Sequence, residues 1–215
     1  MSAAEKMETR GRLGEADRRH ILLDAAEAVF LREGYAAANM DEIARNAGMS
    51  KRTLYQHFSS KAELFEAVMT AALAPLRIDS ALVEDEPDIA RALAGMLAAC
   101  TRHLLAARQC ELIRLVISEV HRSPELADAF HRAGPGRGAD SLETRIAREA
   151  RQGRLRVNDP HKAAEMLYGM ALGAAHMKVL LGLREPPGEA EIVQHINEAV
   201  TAFLHGALAE APADA

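Results

Sequence analysis

The sequence has no tryptophan, and aromatic residues make up only 4% of its 215 residues, although 49% of them are hydrophobic. A core with so few large rings must be filled by alanine, leucine and methionine, a composition that favours helices over sheets. The β-branched alternation between turn dipeptides that indicates strands is also missing. The fold class is therefore predicted to be all-α.

Membrane and disulfide signals are scarce as well. No apolar run reaches the roughly 18 residues that a membrane helix needs, and the polar N-terminus does not read as a signal peptide. Two cysteines, Cys100 and Cys110, are too few for a disulfide framework. About 15 Å would separate them on a continuous helix, too far for a direct bridge, so each is interpreted as a small buried hydrophobic residue. We expect a cytoplasmic protein with no membrane partner.

Catalytic and metal-binding motifs are also absent. The nine histidines form no HxxxH, HExxH or Cys/His cluster, and there is no GxSxG, P-loop or dinucleotide fingerprint. The glycine-rich run RAGPGRG has no preceding strand, which argues against phosphate binding there. We therefore predict no metal, no cofactor and no enzymatic activity.

One local absence is more informative than any of these. The window from Ile43 to Ala62, IARNAGMSKRTLYQHFSSKA, contains five basic or histidine side chains and no carboxylate, although Asp41, Glu42 and Glu63 lie immediately outside it. The whole chain has 31 acidic and 26 basic residues, a net charge of −5 and a pI near 6.0. A local basic surface on an acidic chain predicts a negatively charged partner that binds at one place.

Capping signals around this window predict two short helices. Asn39 is an N-cap candidate with Glu42 three positions later, as in a capping box, and Gly48 can end the first helix in a left-handed conformation. Ser50 can cap a second helix, Lys51 to Phe58. Two helices joined by a short glycine-containing turn form a helix-turn-helix, whose second helix enters the DNA major groove. The side chains predicted to face inward are Ile43, Ala44, Ala47, Met49, Leu54 and Phe58.

The motif AGxSxxTLYxHFxxKxxL runs through this segment, matched at Ala47, Gly48, Ser50, Thr53, Leu54, Tyr55, His57, Phe58, Lys61 and Leu64. On these residues the stretch from Arg19 to Met69 resembles the DNA-binding domain of the TetR family of bacterial transcriptional regulators. The segment LIRLVISEVHRSPELADAF resembles the C-terminal domain of one branch of that family, the AefR-like one. The resemblance implies a homodimer that binds a double-stranded DNA operator, a repressor released by a small-molecule effector.

The outer side chains of the helix-turn-helix are predicted to contact DNA. A solvated charged face is the plain alternative, but the turn chemistry, the missing acids and the exposed-looking Tyr55 favour DNA. Lys51 and Arg52 are predicted to read base edges, although the family often has a small residue at the position of Arg52. Lys61 lies in the first turn of a helix that starts near Ser60, where a cation opposes the helix dipole, and the resemblance implies that it contacts the DNA backbone. The predicted DNA-binding residues are Asn39, Arg45, Ser50, Lys51, Arg52, Thr53, Tyr55, His57 and Lys61.

Helix-ending signals divide the rest of the chain. We predict a disordered arm over 1–16, a DNA-binding domain over 17–73, a helical ligand-binding and dimerisation domain over 74–209, and a tail over 210–215. Asp17 is the predicted cap of the first helix. The GPGRG run at 134–138 is predicted to be a loop, with Asp140 capping the helix that follows, and Asp159-Pro160 is predicted to start a long helix.

Heptad-like spacing in the last two helices predicts a dimer interface, since the resemblance implies dimerisation through that pair. The alternative is that both stripes face the core of their own domain. The predicted interface residues are Leu167, Met170, Ala174, Leu181, Val193, Ile196, Val200 and Phe203.

A mixture of methionine, cysteine, tyrosine and histidine on the middle helices suits an adaptable small-molecule cavity, and it suits a plain core almost as well. The predicted pocket residues are Met96, Cys100, His103, Tyr168, Met170, His176 and Met177.

Two classes of function remain: a ligand-switched DNA-binding regulator, or a helical-bundle enzyme or protein-interaction module in which the helix-turn-helix is scaffold. The absence of any nucleophile–base pair or paired carboxylates weighs against the enzyme.

Overall fold

The computed structural model describes residues 14–73, 86–133 and 135–207. These ranges contain ten α-helices and no β-strand, which confirms the all-α prediction. Residues 1–13 of the arm predicted over 1–16, the start of the second predicted domain at 74 and the 210–215 tail lie outside the described residues. In chain order the helices are α1 Glu15–Glu33, α2 Met40–Asn46, α3 Lys51–His57, α4 Lys61–Leu73, α5 Ile89–Leu104, α6 Ala107–Glu119, α7 Glu125–Ala133, α8 Pro135–Arg151, α9 Pro160–Leu180 and α10 Glu189–Ala207.

The chain folds as two compact units. The first comprises the described residues up to Ala71 together with Leu115–Phe130, and the second comprises Ala72–Arg114 and the described residues from His131 onward. The first unit therefore contains α1, α2 and α3, most of α4, the end of α6 and the start of α7.

An aromatic trio lies at the centre of the first unit. The rings of Phe30, Tyr35 and Phe65 have centroids 5.3–5.7 Å apart, and all three side chains are buried. Two of the pairs are edge-to-face, the arrangement that aromatic quadrupoles prefer. Gly34, with φ +79°, ends α1. The N-cap of α1 was predicted three residues too late, because Gly14 and not Asp17 is the N-cap.

The second unit has its own core, to which α5, α8, α9 and α10 contribute buried side chains such as Leu97, Ile146, Leu167 and Ile196. Asp159 caps α9 by accepting a hydrogen bond from the Lys162 amide at 3.1 Å, as predicted. The loop predicted at 134–138 is wrong from Pro135 onward, because α8 starts there. Proline is favoured in the first turn of a helix, since its missing N–H would have no partner there, and Asp140 lies inside the helix rather than at its cap.

A buried ion cluster reinforces this core. Glu149 is fully buried, and its carboxylate pairs with Arg145 at 2.7 Å and with Arg154. Arg145 also donates to the Glu86 carbonyl at 2.7 Å, so one side chain ties α8 to the residues that precede α5. Removing either member of a buried pair would leave an uncompensated charge, which is strongly destabilising.

No single helix among the described residues is long and apolar enough to cross a membrane; the bent pair α5 and α6 meets that test only when its two helices are taken together.

Candidate nucleic-acid interface

The turn between α2 and α3 has the geometry that its glycine predicts. Gly48 has φ +62°, and its amide donates to the Arg45 carbonyl while the Met49 amide donates to Ala44, both at 2.9 Å. This pair of bonds is the Schellman arrangement that ends a helix at a left-handed glycine. A side chain at position 48 would strain that conformation, so glycine fixes the angle between the two helices.

Both short helices have the predicted N-caps. The Asn39 side-chain carbonyl accepts from the Glu42 amide at 2.9 Å, and the Ser50 hydroxyl accepts from the Thr53 amide at 3.1 Å. The reciprocal half of the capping box is not formed, because the Glu42 carboxylate pairs with Arg32 instead. Asn39, Ser50 and Thr53 thus use side-chain atoms to hold the helix starts. Of the predicted inward residues, Met49 is half-buried and the other five are buried.

Two arginines of the helix-turn-helix are fully available to a partner. Arg45 on α2 and Arg52 on α3 are exposed, and within the described ranges neither guanidinium has a hydrogen bond or an ion pair. Tyr55, one turn beyond Arg52, is 45% exposed. His57 is half-buried, with its ring 6.3 Å from that of Phe58. The exposed part of this surface is cationic and aromatic, a combination suited to phosphates and base edges.

The first residue of α3 is engaged differently. The Lys51 ammonium lies 2.7 Å from the Asp41 carboxylate, and it also lies 5.9 Å from the centre of the Tyr55 ring. The hydrogen bond and charge of Asp41 raise the pKa of Lys51, which is therefore charged at neutral pH. Both partners are more than half exposed, so the pair can open at little cost.

Lys61 does not have the orientation that the sequence predicted. Its ammonium points into the protein and donates to the carbonyls of Tyr35, Ala36 and Ala38 at 2.8, 3.1 and 3.0 Å. It also lies 4.6 Å from the centre of the Tyr35 ring, and burial lowers its pKa. An ammonium has three N–H donors, and all three are in use. This inward orientation argues against the predicted contact of Lys61 with the DNA backbone.

The segment that Lys61 holds, the 34–38 turn between α1 and α2, has further partners within the first unit. The Ala36 amide donates to the Glu119 carboxylate at 3.3 Å. The Tyr35 hydroxyl donates to Glu125, and burial together with that carboxylate raises the pKa of Tyr35 to about 12. These contacts fix the loop that leads directly into the Asn39 cap. No sequence pattern identified them, because the partners are far apart along the chain.

The predicted interface residues on the last two helices divide into two groups. Leu167, Ile196 and Val200 are wrong as interface residues, because they are buried in the core of their own unit, and Phe203 packs half-buried against it. Met170, Ala174, Leu181 and Val193 are exposed. Two of these exposed residues, Met170 and Leu181, belong to an exposed apolar face along α9 and its C-cap, here called the apolar stripe. Its residues are Met166, Met170, Gly173, Met177 and Leu181.

The residues of the predicted ligand pocket have different environments in the described part of the chain. Met96 and Cys100 are core residues with Tyr168 packed on that core, and His103 donates to the Ala72 carbonyl at 2.8 Å. Met170 and Met177 are exposed on the apolar stripe, and His176 is half-buried with its Nε2 unpartnered. Burial raises the pKa of Cys100 to about 11 and also raises the pKa of Cys110, so both thiols stay protonated and unreactive.

A different cleft, of about 330 Å³, lies among α5, α9, α10 and the segment between the last two helices. None of the predicted pocket residues lines it. Its apolar lining residues include Leu105, Ala171, Ala174, Ala175 and Ile192. Its polar lining residues include Lys178, Arg184, Glu191, Gln194, His195 and Glu198. The volume is at the lower end of the range for small-molecule sites.

Comparison with known proteins agrees with this arrangement. Residues 22–68 match the family model described as bacterial regulatory proteins, tetR family, and residues 91–206 match the model described as AefR-like transcriptional repressor, C-terminal domain. The second match alone spans more than half of the chain. The chain belongs to the TetR family. The sequence resemblance is thereby confirmed over both parts of the protein.

Individual relatives place this TetR-family chain among transcription regulators. It is 60% identical over 58 residues to the activator FasR of Mycolicibacterium smegmatis, a match covering 27% of this chain and 26% of FasR. It is 38% identical over 78 residues to the regulator SrpR of Pseudomonas putida, covering 36% and 32%. The chain thus matches about a quarter to a third of the length of these two relatives. Both are regulators, in agreement with the expectation that this protein is not an enzyme.

Solved structures extend the likeness to almost the whole chain. A TetR-family transcriptional regulator from Mesorhizobium loti superposes with a TM-score of 0.79 at 26% identity, covering 92% of this chain and all of the other. The flavonoid-responsive regulator FrrA superposes with a TM-score of 0.71 at 27% identity, covering 91% and 100%. This chain therefore shares its fold with these two regulators.

Proposed function

We propose that this protein is a dimeric transcription regulator that binds a specific DNA operator through α2 and α3 and is released from it by a small molecule. The observation that supports DNA binding most strongly is the free, exposed pair Arg45 and Arg52 on a helix-turn-helix whose turn and two N-cap hydrogen bonds are formed. Arg45, on the first helix, is assigned to the phosphate backbone. Arg52, in the first turn of α3, is assigned to base edges.

We expect Arg52→Ala to weaken binding to the operator by about 1–3 kcal/mol, the usual contribution of a bidentate arginine–guanine contact. Binding to a scrambled duplex should change much less, because the lost contact reads a base. Arg45→Ala is the matched variant: it should weaken both duplexes about equally and reduce the slope of log K against log salt by roughly one per helix-turn-helix. Equal losses on both duplexes for Arg52→Ala would contradict its assignment.

The proposed dimer forms through the apolar stripe of α9 with Val193 of α10. Gly173 has open space around its Cα, so the backbone of a second copy can approach closely there. Large exposed apolar faces on soluble proteins mark interaction sites, and helix-turn-helix proteins use dimers to reach two half-sites one DNA turn apart. The TetR-family fold supports a second copy as the occupant of this face.

The proposed effector site is the 330 Å³ cleft, which takes the place of the pocket expected from the sequence. Its three alanines leave room for an apolar body, and its polar lining residues can form hydrogen bonds with hydroxyl or carboxylate groups. Ala174 lines the cleft and is exposed next to the apolar stripe, so a ligand there would lie close to the proposed dimer contact. A ligand can release DNA only if it binds the non-binding conformation more tightly than the binding one.

The effector proposal is tested by release of bound DNA. Because FrrA is described as flavonoid-responsive, a panel of flavonoids and simpler phenolic acids is a reasonable first set. We expect a panel member to dissociate the operator complex of the parent, and Ala174→Trp, which fills the cleft, to resist that dissociation while still binding DNA. Equal sensitivity of the parent and Ala174→Trp would place the effector elsewhere.

The operator itself is found by mixing the purified protein with fragments of genomic DNA and sequencing those that stay bound. We expect the bound fragments to share a sequence with two related halves. Recovery of fragments without any shared sequence would contradict sequence-specific binding.

A further inference from the structure

We infer that Asp41 is a specificity-determining residue, which restrains Lys51 from binding DNA phosphates indiscriminately. The inference rests on the proposed DNA-binding function and extends it to a residue that need not touch DNA itself. The observation behind it is the ion pair across the helix-turn-helix, between the first turn of α2 and the first residue of α3.

The helix dipole favours the charge of Asp41 at its position and disfavours that of Lys51. Asp41 lies in the first turn of α2, where the helix dipole favours an acid. Lys51 is the first residue of α3, where the dipole disfavours a base, and no acid occurs in that first turn. Asp41 offsets this unfavourable placement, since its Oδ1 lies 2.7 Å from the Lys51 Nζ. The lysine at the start of α3 is therefore paired, whereas Arg45 and Arg52 are free.

A paired lysine affects binding to operator and to other DNA differently. An unpaired ammonium is a mobile point charge that any phosphate can attract, so it increases affinity for every sequence. With Asp41 present, a phosphate must compete with a carboxylate already in contact with the ammonium, and the carboxylate itself repels that phosphate. In the operator, a well-placed acceptor on a base can bind the Lys51 ammonium. That hydrogen bond offsets the free energy needed to break the Lys51–Asp41 pair, which is small because the pair is exposed. Asp41 thus lowers non-specific binding more than specific binding.

The test is a double-mutant cycle read on two fluorescent duplexes, one carrying the sequence selected from genomic fragments and the other a scrambled version of it. Anisotropy titrations at several salt concentrations are made with the parent, Asp41→Asn, Lys51→Met and the double variant. Asp128→Asn is the matched control, because it removes one exposed acid of α7 that has no ion pair within the described residues.

For Asp41→Asn we expect tighter binding to the scrambled duplex, by roughly threefold to tenfold, with a smaller change on the selected duplex. The ratio of the two affinities should therefore fall. The slope of log K against log salt on the scrambled duplex should become steeper by about one per helix-turn-helix, because Lys51 then neutralises a phosphate. In the Lys51→Met background the same substitution should have no more effect than Asp128→Asn has in the parent.

Three results would overturn the inference: an Asp41→Asn protein that behaves like Asp128→Asn, an affinity ratio that stays the same or rises, or a gain that persists when Lys51 is methionine. The last would mean that Asp41 acts by simple repulsion and not through Lys51. A parent that binds neither duplex would contradict the proposed function itself, and with it the role of Asp41. If the parent protein binds the selected duplex more tightly than the scrambled one, but the double-mutant cycle gives no coupling free energy between Asp41 and Lys51, only the role of Asp41 is contradicted.

Discussion

Replacing Lys61 with methionine is expected to destabilise the first unit without removing a DNA contact. The substitution keeps most of the aliphatic stem but deletes the donor for three carbonyls of the 34–38 turn, two of them on residues that are 3% exposed. Hydrogen bonds from a charged donor contribute about 1.5–3 kcal/mol each, and partial exposure reduces the total, so a loss of about 2–3 kcal/mol is expected. For a unit of this size that corresponds to a fall in melting temperature of roughly 10 °C or more.

Circular dichroism melts measure this effect, with Lys51→Met as the matched control. Lys51 is more than half exposed and has one carboxylate partner, so its removal should leave the melting temperature almost unchanged. Well below the melting transition, Lys61→Met should keep the salt dependence of DNA binding. A protein of parental stability whose salt slope falls by about one per helix-turn-helix would restore the phosphate role for Lys61 and contradict the structure.

The second large effect is expected at the apolar stripe, where Met177→Glu should prevent dimerisation. Met177 is 53% exposed, and in a twofold contact each copy would bring a charge to the same interface. Burial of two unpaired carboxylates costs several kcal/mol, so the dimer should no longer form. Operator affinity should fall by about 100-fold or more, because each helix-turn-helix would then bind its half-site without the benefit of a linked partner. Sedimentation velocity and anisotropy on the same samples measure both changes.

Ile117→Glu is the matched control for that experiment. Ile117 is 56% exposed on α6 and does not belong to the apolar stripe, so its variant should remain dimeric. Phe203, one of the predicted interface residues, is a poor choice because it packs against the core of its own unit, and a charge there would also disturb that core. A Met177→Glu protein that sediments as a dimer and binds its operator like the parent would exclude the stripe as the interface.

The helix-turn-helix could be predicted from sequence because its determinants are local. Asn39, Gly48 and Ser50 each act on backbone groups within five positions, so the pattern of residues carries the geometry directly. The partners of Lys61 could not be predicted in the same way. They are backbone carbonyls 23 to 26 positions earlier, and every residue has one, so no residue type marks them.

Which residues of α9 are buried and which are exposed could not be predicted from the sequence for another reason. Most residues of α9 are apolar, and they occur on its exposed as well as on its buried side. The heptad-like set of residues therefore contains both buried and exposed members. Leu167 is buried, while Met170 and Leu181 are exposed. The buried face of a helix is recognised in the sequence by its contrast with a polar face. In a helix with apolar residues on most sides that contrast is missing, so periodicity does not show which face is buried. The same ambiguity placed Met170 and Met177 in a pocket that they do not line.

Sequence-specific DNA binding by α2 and α3 is tested most directly by the affinity of the purified protein for the selected duplex and for its scrambled counterpart across a range of salt concentrations. A specific regulator should bind the selected duplex roughly a thousandfold more tightly or better near physiological salt, and both affinities should fall steeply as salt rises. Arg52→Ala should narrow the gap between the two duplexes. Equal affinity for both duplexes, or an affinity that salt does not change, would contradict the assignment of this surface to DNA.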